Sequence, residues 1–393
     1  MATAFTTTVK PSGGDYTTLN GAIAANACNL TSATKVFAHG SITGTISDGA
    51  AVTGLTSGAT GTCTHATATQ MMIKTITGTF QSGEVVYETL SVNFTTINDA
   101  GDAPYLSVEI DGDWSGGADT TTVSITGYTT SATSYINIYT TAQARHKGVW
   151  STSYYINTVS ANPGFAISED YVTITGLQIQ NSRGTGALAG IGLKLNNIEG
   201  IVIDSCIVRS HRDAINIANT SSTVGWQLRN SIFMQYATAV AIDTAIVRGV
   251  GKAYNCVFIN LAGARALYDF GAPVVQYTNC YFYSSGTTIV TDGVNFTFTT
   301  CASVDGAEST ATVAYSTSSG AYFTNVTGGS EDFHIGASSE LKDAGTDLSG
   351  TFTTDIDGNT RSGTWDIGVD EFVGAASSST GIMTPRTGYW GDL

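Results

Sequence analysis

The sequence predicts an all-β chain folded as a parallel β-helix. Only 12% of the residues are charged, 45 are Gly, and Thr and aromatic residues are abundant, which favours strands over a helical bundle. The central stretch also repeats a short motif of one polar residue, one small residue and an apolar pair. A unit of this length cannot bury its apolar face alone, so we expect neighbouring units to stack as successive coils. The motifs begin at Thr175, Asp204, Asn230, Asn255, Asn279 and Thr300, spaced 21 to 29 residues apart.

Residues 1–39 predict a strand, a turn and a short capping helix. Residues 5–9 alternate as a strand does, and the string PSGGD at 11–15 is typical of a turn. Leu19, Ile23 and Ala27 then lie four residues apart on one face of a helix, with Thr17 or Thr18 as its N-cap. We expect this helix to cover the open end of the stacked strands, because an uncovered edge invites aggregation.

Residues 40–95 predict a small inserted β domain. Residues 44–52 match residues 78–86, and a Gly/Thr-rich hairpin signal lies between them. The pattern resembles small β modules of bacteriophage structural proteins. It contains no group that suggests catalysis.

Two columns of residues recur in the central repeats. Cys206, Cys256, Cys280 and Cys301 take the same place in their units, where Ser231 replaces Cys in one unit. We interpret them as a ladder of small buried side chains, since no paired spacing favours metal or redox chemistry. The Asn column suits the corners between strands, because Asn tolerates a left-handed backbone. Its members are Asn230, Asn255 and Asn279.

The two ends of the chain resemble the pectate-lyase-like right-handed parallel β-helix superfamily. The string GGDYTTL at 13–19 is similar to the N-terminal cap of that superfamily. The strings DFHIG at 332–336, LKDAG at 341–345, DIDGNTR at 355–361 and DIGVDEF at 366–372 resemble the last coils of its bacterial and phage members. The resemblance implies a right-handed β-helix over residues 96–373. It implies no single function, since the scaffold hosts lyases, hydrolases and adhesins.

The charge balance narrows the classes of partner. A net charge of −15 and a pI near 4.5 speak against nucleic acid and an anionic membrane surface. The first residues lack a basic region followed by an apolar one, so no secretory signal is predicted, and no apolar run reaches the length of a membrane span. The composition is rich in Thr, Ser, Gly, Asn and Tyr, as in proteins that face the cell exterior, yet no export signal is predicted. This combination favours a virion protein that is made in the host cytoplasm.

Candidate catalytic residues are Asp213, Asp243 and Asp269. Asp213 lies in the string SHRDAIN, and Asp243, Asp269 and Asp292 each close the second strand of a unit. Paired carboxylates perform acid and base chemistry in glycosidases. The alternative is that these residues end strands and start turns. The polygalacturonase motifs and a lyase set of calcium-binding acids are absent from the sequence.

A candidate glycan-binding group is Arg145, Trp150 and Tyr154, because aromatic faces stack on sugar rings and charges orient hydroxyls. The alternative is an ordinary early coil. The string DIDGN at 355–359 resembles a calcium loop, but a tight turn is the favoured interpretation. No metal and no cofactor are expected.

Residues 374–393 predict a flexible linker and an anchoring tail. The linker is rich in Ala and Ser, and Tyr389 and Trp390 near the end are the aromatic residues expected to anchor it on a neighbouring subunit.

The function predicted from the sequence is that of a bacteriophage virion structural protein, a tail spike, fibre or capsid decoration, which acts through assembly and surface binding. Its expected partners are other virion proteins, copies of itself and a host surface glycan. The alternative is a polysaccharide depolymerase on a tail spike, and a second alternative is a bacterial surface adhesin.

Overall fold

The first part of the chain contains a strand, a helix and an antiparallel sheet in the computed structural model. The structure describes residues 2–160, 162–183, 190–196, 198–218, 225–235, 244–247, 249–261, 265–269, 274–286, 290–291, 296–304, 311–312, 322–327 and 329–374. The first elements are β1 (Thr3–Val9), α1 (Leu19–Ala25), β2 (Lys35–Ala38), β3 (Ala51–Gly54), β4 (Thr60–Ala66), β5 (Gln70–Thr77), β6 (Val85–Thr89) and β7 (Asn93–Thr96).

The remaining elements are short strands. They are β8 (Pro104–Ile110), β9 (Val123–Ile125), β10 (Ile136–Thr140), β11 (Tyr155–Thr158), β12 (Phe165–Ile167), β13 (Val172–Thr175), β14 (Gln178–Asn181), β15 (Leu193–Asn196), β16 (Ile201–Asp204), β17 (Ile207–Ser210), β18 (Ile215–Ala218), β19 (Trp226–Arg229), β20 (Ile232–Gln235), β21 (Ala245–Val247), β22 (Val250–Tyr254), β23 (Val257–Asn260), β24 (Leu267–Asp269), β25 (Val274–Thr278), β26 (Tyr281–Ser284), β27 (Val290–Thr291), β28 (Phe296–Thr299), β29 (Ala302–Ser303) and β30 (Ala311–Thr312).

Three parallel sheets build the body of the molecule. The nine-stranded sheet has the order β1-β8-β10-β13-β16-β19-β22-β25-β28, the eight-stranded sheet β11-β14-β17-β20-β23-β26-β29-β30, and the seven-stranded sheet β27-β24-β21-β18-β15-β12-β9. Within each sheet the neighbour of a strand comes from the next coil. This order defines a parallel β-helix and confirms the predicted fold class.

The interior of the β-helix is apolar and layered coil upon coil. Phe233, Phe258 and Phe282 stack in register, with ring centroids 5.3 and 5.4 Å apart. The cysteine ladder lies in the same core. Its members Cys206, Cys256, Cys280 and Cys301 form no disulfide and are fully buried. Burial raises the pKa of Cys206 to about 12, so its thiol is unreactive. The prediction of small buried residues is confirmed.

The Asn column forms one corner of each coil. Asn230, Asn255 and Asn279 have φ angles of 43°, 49° and 55°, the left-handed conformation that Asn adopts at low cost. Ser205 and Thr300 continue the same corner with φ of 51° and 47°. The corner prediction from the sequence is therefore confirmed.

Helix α1 is the only helix in the part of the chain that the structure describes. Thr18 is its N-cap, and the Thr18 side chain accepts a hydrogen bond from the Gly21 amide. The amide of Leu19 donates to Asp119 Oδ2 at 2.9 Å, which holds the helix against the first coils. In those residues no helix is both long and apolar enough to cross a membrane.

The antiparallel sheet is inserted between two paired strands of the nine-stranded sheet. Strands β1 and β8 are parallel neighbours, and the order β2-β5-β4-β3-β6-β7 makes a separate six-stranded sheet between them in the chain. This sheet starts at Lys35, five residues before the boundary drawn from the sequence, because β2 pairs with β5. The internal repeat is visible in Gly49 and Gly83, which have φ of 79° and 82°.

A covering segment lies over the outer face of the eight-stranded sheet; the name denotes the described residues between 322 and 372. Its apolar side chains pack on the outward residues of that sheet. Arg361 fixes the segment by donating to Asn230 Oδ1 at 3.1 Å and to Glu371 Oε2 at 3.2 Å. The outward sheet residues that it covers include Ile207, Ile232, Met234, Val257, Ile259 and Tyr281.

Candidate functional site

A column of tyrosines lies on the outer face of the nine-stranded sheet. Strand β10 pairs in parallel with β8 on one side and β13 on the other. The register of these pairs aligns Tyr105, Tyr135 and Tyr171, each of which precedes a buried apolar residue. All three side chains are partly exposed. The tyrosines therefore follow the long axis of the β-helix, one on each coil.

The column continues into glycine on the following coils. The registers of β13 with β16 and of β16 with β19 place Gly200 and Gly225 after Tyr171. Gly200 has a φ of 68°, and a Cβ added to it would lie 2.5 Å from Cδ1 of Tyr171. Only glycine satisfies both conditions. Because glycine has no side chain, the outer surface of the sheet is lower beside the ring of Tyr171.

Two adjoining cavities follow this column and share Gly200; together they are called the groove. The first has a volume of about 350 Å³ and lies between Tyr135 and Tyr171, with Asn137 and Thr173 among its lining residues. The second, of about 160 Å³, is lined by the starts of β16, β19 and β22. The first cavity alone reaches the size of ordinary small-ligand clefts.

Stacking and hydrogen bonds hold the rings of this face in place. The rings of Tyr105 and Tyr135 stack with centroids 4.7 Å apart and planes 6° from parallel. The hydroxyl of Tyr171 donates to Glu199 Oε1 at 3.1 Å, and this hydrogen bond raises the pKa of Tyr171. The face thus presents fixed aromatic rings whose geometry is set before any ligand arrives.

The polar groups of the groove are amides and one ammonium group. Asn137 and Gln227 supply amides, and Lys252 supplies one exposed ammonium group. None of the described residues that line the two cavities is a carboxylate. Glycosidases of the usual kind need two carboxylates beside the scissile bond. The arrangement can therefore stack on and hydrogen-bond to a ligand.

The structure places the predicted catalytic candidate Asp213 in the interior. Its side chain is fully buried, accepts a hydrogen bond from Asn216 Nδ2 at 2.9 Å and lies 3.6 Å from Arg212 Nε. A polysaccharide cannot reach a carboxylate in this position. Asp243 lies outside the described residues. Asp269 ends β24, but its side chain also lies outside the described part.

The predicted group of Arg145, Trp150 and Tyr154 does not form one glycan site. Tyr154 is fully buried, and its hydroxyl donates to Asp119 Oδ2 at 3.2 Å, so its assignment to a surface is wrong. The guanidinium of Arg209 lies 3.7 Å from the centre of the Trp150 ring.

Arg145 is used inside the chain. Its Nη2 donates to the Ile356 carbonyl at 3.1 Å, which ties it to the covering segment rather than to a ligand. The predicted anchoring residues Tyr389 and Trp390 lie outside the described residues.

The tyrosine column was missed in the sequence, although a signal for it exists. Each of the three tyrosines starts a tetrapeptide of the form Tyr, apolar, polar, apolar: YLSV at 105–108, YINI at 135–138 and YVTI at 171–174. The coils on which they lie are longer and less regular than the later ones. A search for the strand pattern, without a fixed period, would have found them.

One group of side chains could hold a metal ion. Ligand atoms of His334, Asp357 and Asp370, all in the covering segment, lie within 4.8 Å of one another. None of the three lines the groove.

No protein-family model and no curated protein matches the chain. Among solved structures, pectate lyase Pel9A is similar with a TM-score of 0.38 and 11% identity, over 68% of this chain and 88% of the lyase. The tailspike protein gp49 from Pseudomonas phage LKA1 is similar with a TM-score of 0.26 and 13% identity, over 69% of this chain and 46% of the tailspike.

The strand order by itself shows a parallel β-helix. The chain spans less than half the length of the tailspike.

Proposed function

We propose that this protein binds a neutral polysaccharide along the groove of the nine-stranded sheet. The observation that carries the proposal is the column of Tyr105, Tyr135 and Tyr171, which leads into Gly200 and Gly225 on the outer face of that sheet. Aromatic rings offer flat apolar faces to the C–H groups of a sugar ring. A column on successive coils suits a ligand that is itself a chain.

The polar groups of the groove suit sugar hydroxyls. The side-chain amides of Asn137 and Gln227 can both donate and accept hydrogen bonds. Both residues line the groove: Asn137 lies two residues after Tyr135, and Gln227 two residues after Gly225. A few placed polar groups beside an apolar surface are what fixes a ligand in an ordinary cleft. The net charge of −15 disfavours a polyanionic glycan, because like charges repel.

A virion surface is the proposed setting, as a tail spike or fibre of a bacteriophage. The support is the likeness of the inserted Gly/Thr module to phage structural proteins and of the last coils to bacterial and phage β-helices, together with the proposed glycan groove. Binding and assembly are the proposed activities, since the groove is lined by rings and amides.

Affinity electrophoresis tests the proposal. The full chain is run through gels that contain dextran, a β-1,4-glucan or a galactomannan, and retardation measures binding. We expect at least one of them to retard the chain. Loss of one stacking ring in Tyr135→Ala should weaken that binding about tenfold, the equivalent of roughly 1.4 kcal/mol.

The matched control is Tyr87→Ala, which removes a partly exposed tyrosine from strand β6 of the antiparallel sheet. It should bind as the unaltered chain does. Equal loss in both variants, or no retardation by any polysaccharide, would contradict the groove assignment. Release of reducing ends from the bound polysaccharide would replace it with the depolymerase alternative.

A further inference from the structure

Three side chains of the covering segment converge on one point. The ligand atoms of His334, Asp357 and Asp370 all lie within 4.8 Å of one another. They come from three separate stretches of irregular backbone, so no regular element dictates their meeting. The groove and the proposed binding of polysaccharide use none of them.

The imidazole of His334 is oriented as a metal ligand is. Its Nδ1 pairs with Asp332, and its Nε2 lies 2.8 Å from Asp357 Oδ2. Histidines that bind metals almost always donate their other N–H to a carboxylate or carbonyl, which fixes the ring and raises its basicity. Asp332 is such a partner, and it leaves Nε2 directed at the two remaining carboxylates.

The two other carboxylates are held in place by the backbone. Asp370 is buried, and its Oδ2 accepts a hydrogen bond from the Ile335 amide at 2.8 Å. Asp357 lies in the tight turn at 355–359, where its own amide donates to Asp355 Oδ1 at 2.9 Å. The Oδ1 atom of Asp357 is buried and has no hydrogen-bond partner among the described residues. This oxygen is therefore available as a ligand atom.

Gly148 keeps the space beside these atoms open. A Cβ added to Gly148 would lie 2.5 Å from Nε2 of His334 and 2.9 Å from Oδ1 of Asp357. Any other residue would fill the position next to both donor atoms. Gly148 also has a φ of 67°, so the backbone conformation and the free space both call for glycine.

We propose that Nε2 of His334 and the carboxylates of Asp357 and Asp370 bind one Zn²⁺ ion, which clamps the covering segment. Zinc accepts nitrogen and carboxylate ligands at about 2.0–2.2 Å in tetrahedral geometry, so two ligands of one ion lie roughly 3.4 Å apart. The Nε2 and Oδ2 atoms, which are 2.8 Å apart, lie closer than that and move slightly apart when the ion replaces the proton between them. The ligand atoms that lie farther apart, up to 4.8 Å, move together through small rotations of the Asp side chains.

Binding replaces the proton on Nε2, which leaves to water. Calcium fits the donor set poorly, because it takes six to eight oxygen ligands, and one of these three donors is nitrogen. The position of the three ligands within the covering segment supports a structural role for the ion. The three ligands join residues that are up to 36 positions apart in the chain.

His65 is a matched control inside the same molecule. Its Nδ1 lies 2.9 Å from Asp48 and its Nε2 3.3 Å from Asp15, so it also lies between two carboxylates. Each of its nitrogens meets a single carboxylate, whereas Nε2 of His334 faces two. His65→Gln removes a histidine of this kind without touching the proposed ligands.

The test measures zinc in the full chain after incubation with Zn²⁺ and removal of the excess by gel filtration. We expect about one zinc per chain by atomic spectroscopy, retained in His65→Gln and lost in His334→Ala. Asp370→Asn is the milder variant, because the amide oxygen still accepts from Ile335, and it should also lose the ion. Bound Co²⁺ should show d–d absorption in the unaltered chain and not in Asp370→Asn.

Circular dichroism checks that each variant is folded. Zinc should raise the melting temperature of the unaltered chain and leave that of Asp370→Asn unchanged. Equal zinc content in the unaltered chain and in Asp370→Asn would overturn the proposal. Loss of zinc from His65→Gln to the same degree would overturn it as well.

Discussion

The outer face of the eight-stranded sheet is covered, whereas the outer face of the nine-stranded sheet is open along the groove. On the covered face, apolar residues such as Ile232 and Ile259 pack beneath the covering segment. On the open face, tyrosines, amides and glycines line a groove. Both sheets share one core, so the difference is confined to the residues that point outward. One scaffold thus separates a surface that stabilises the fold from a surface that is free to bind.

The burial of consecutive residues distinguishes the two faces. Every residue of β20 and of β23 is buried, whereas buried and partly exposed residues alternate in β16 and β19. A strand buried on both faces is a near-continuous apolar run, and a strand with one exposed face alternates. The strings IFMQ at 232–235 and WQLR at 226–229 show the two patterns side by side.

The largest effect is expected from the covered face. Phe323 is almost fully buried, and its ring meets Tyr281 edge-on with centroids 5.0 Å apart. Phe323→Ala leaves a cavity between the covering segment and the sheet, which should cost about 3–5 kcal/mol of the free energy of unfolding. Urea denaturation followed by tryptophan fluorescence measures the loss. A cost below about 1 kcal/mol would show that the segment contributes little.

A smaller effect is expected where the open face turns from tyrosine to glycine. Gly200→Ala places a side chain at a φ of 68° and against the ring of Tyr171, which should cost about 1–3 kcal/mol. The shifted ring should also weaken polysaccharide binding. Gly116→Ala is the control, since Gly116 is exposed and nothing lies within 4 Å of an added Cβ. Equal behaviour of both variants in urea would contradict the packing described for Gly200.

The pH dependence of stability tests His65 of the inserted sheet, which belongs to neither of the two faces. Burial lowers the pKa of His65, but hydrogen bonds to Asp15 and Asp48 outweigh it and raise the pKa from 6.5 to about 9. A raised pKa stabilises the folded chain below pH 6.5, and the stabilisation disappears as the pH rises through 9. The melting temperature should therefore fall by a few degrees between pH 7 and pH 10.

The same titration in His65→Gln is the comparison. This variant should melt at a lower temperature at pH 7 and show a smaller fall towards pH 10, because its side chain does not ionise. Parallel curves for the two chains would mean that His65 does not hold Asp15 of the cap and Asp48 of the insertion together.

The repeated part of the fold could be predicted from the sequence, because each coil repeats the same physical requirement. Asn230, Asn255 and Asn279 mark left-handed corners, and Cys206 and its counterparts mark the tight interior. The start of the inserted sheet was placed late, since the pairing of β2 with β5 has no local signal. The internal repeat of the inserted sheet could be recognised in the sequence, because Gly49 and Gly83 hold the same place in it and both need a positive φ.

The residues of the proposed groove and of the proposed metal site were harder to predict. They meet in the folded chain, and their spacing in the sequence does not reveal this. Tyr105, Tyr135 and Tyr171 lie 30 and 36 residues apart, outside the period of the later coils. Asp213 had a suggestive neighbourhood, but burial excludes it from a surface site. The string at 355–359 was interpreted as a tight turn, and Asp355 Oδ1 accepts hydrogen bonds from the amides of Asp357 and Asn359 there. The proposed ligand Asp357 meets His334 and Asp370 only through irregular backbone, which no local pattern reveals.

The most direct test of the division between the two faces is a paired measurement on Tyr135→Ala and Phe323→Ala. Both the urea midpoint and the affinity for the retarding polysaccharide are measured for each, under conditions in which both chains are folded. Tyr135→Ala should lose about tenfold in affinity while its free energy of unfolding changes by less than about 1 kcal/mol. Phe323→Ala should lose stability and keep its affinity. A Tyr135→Ala chain that binds as tightly as the unaltered chain would contradict the account.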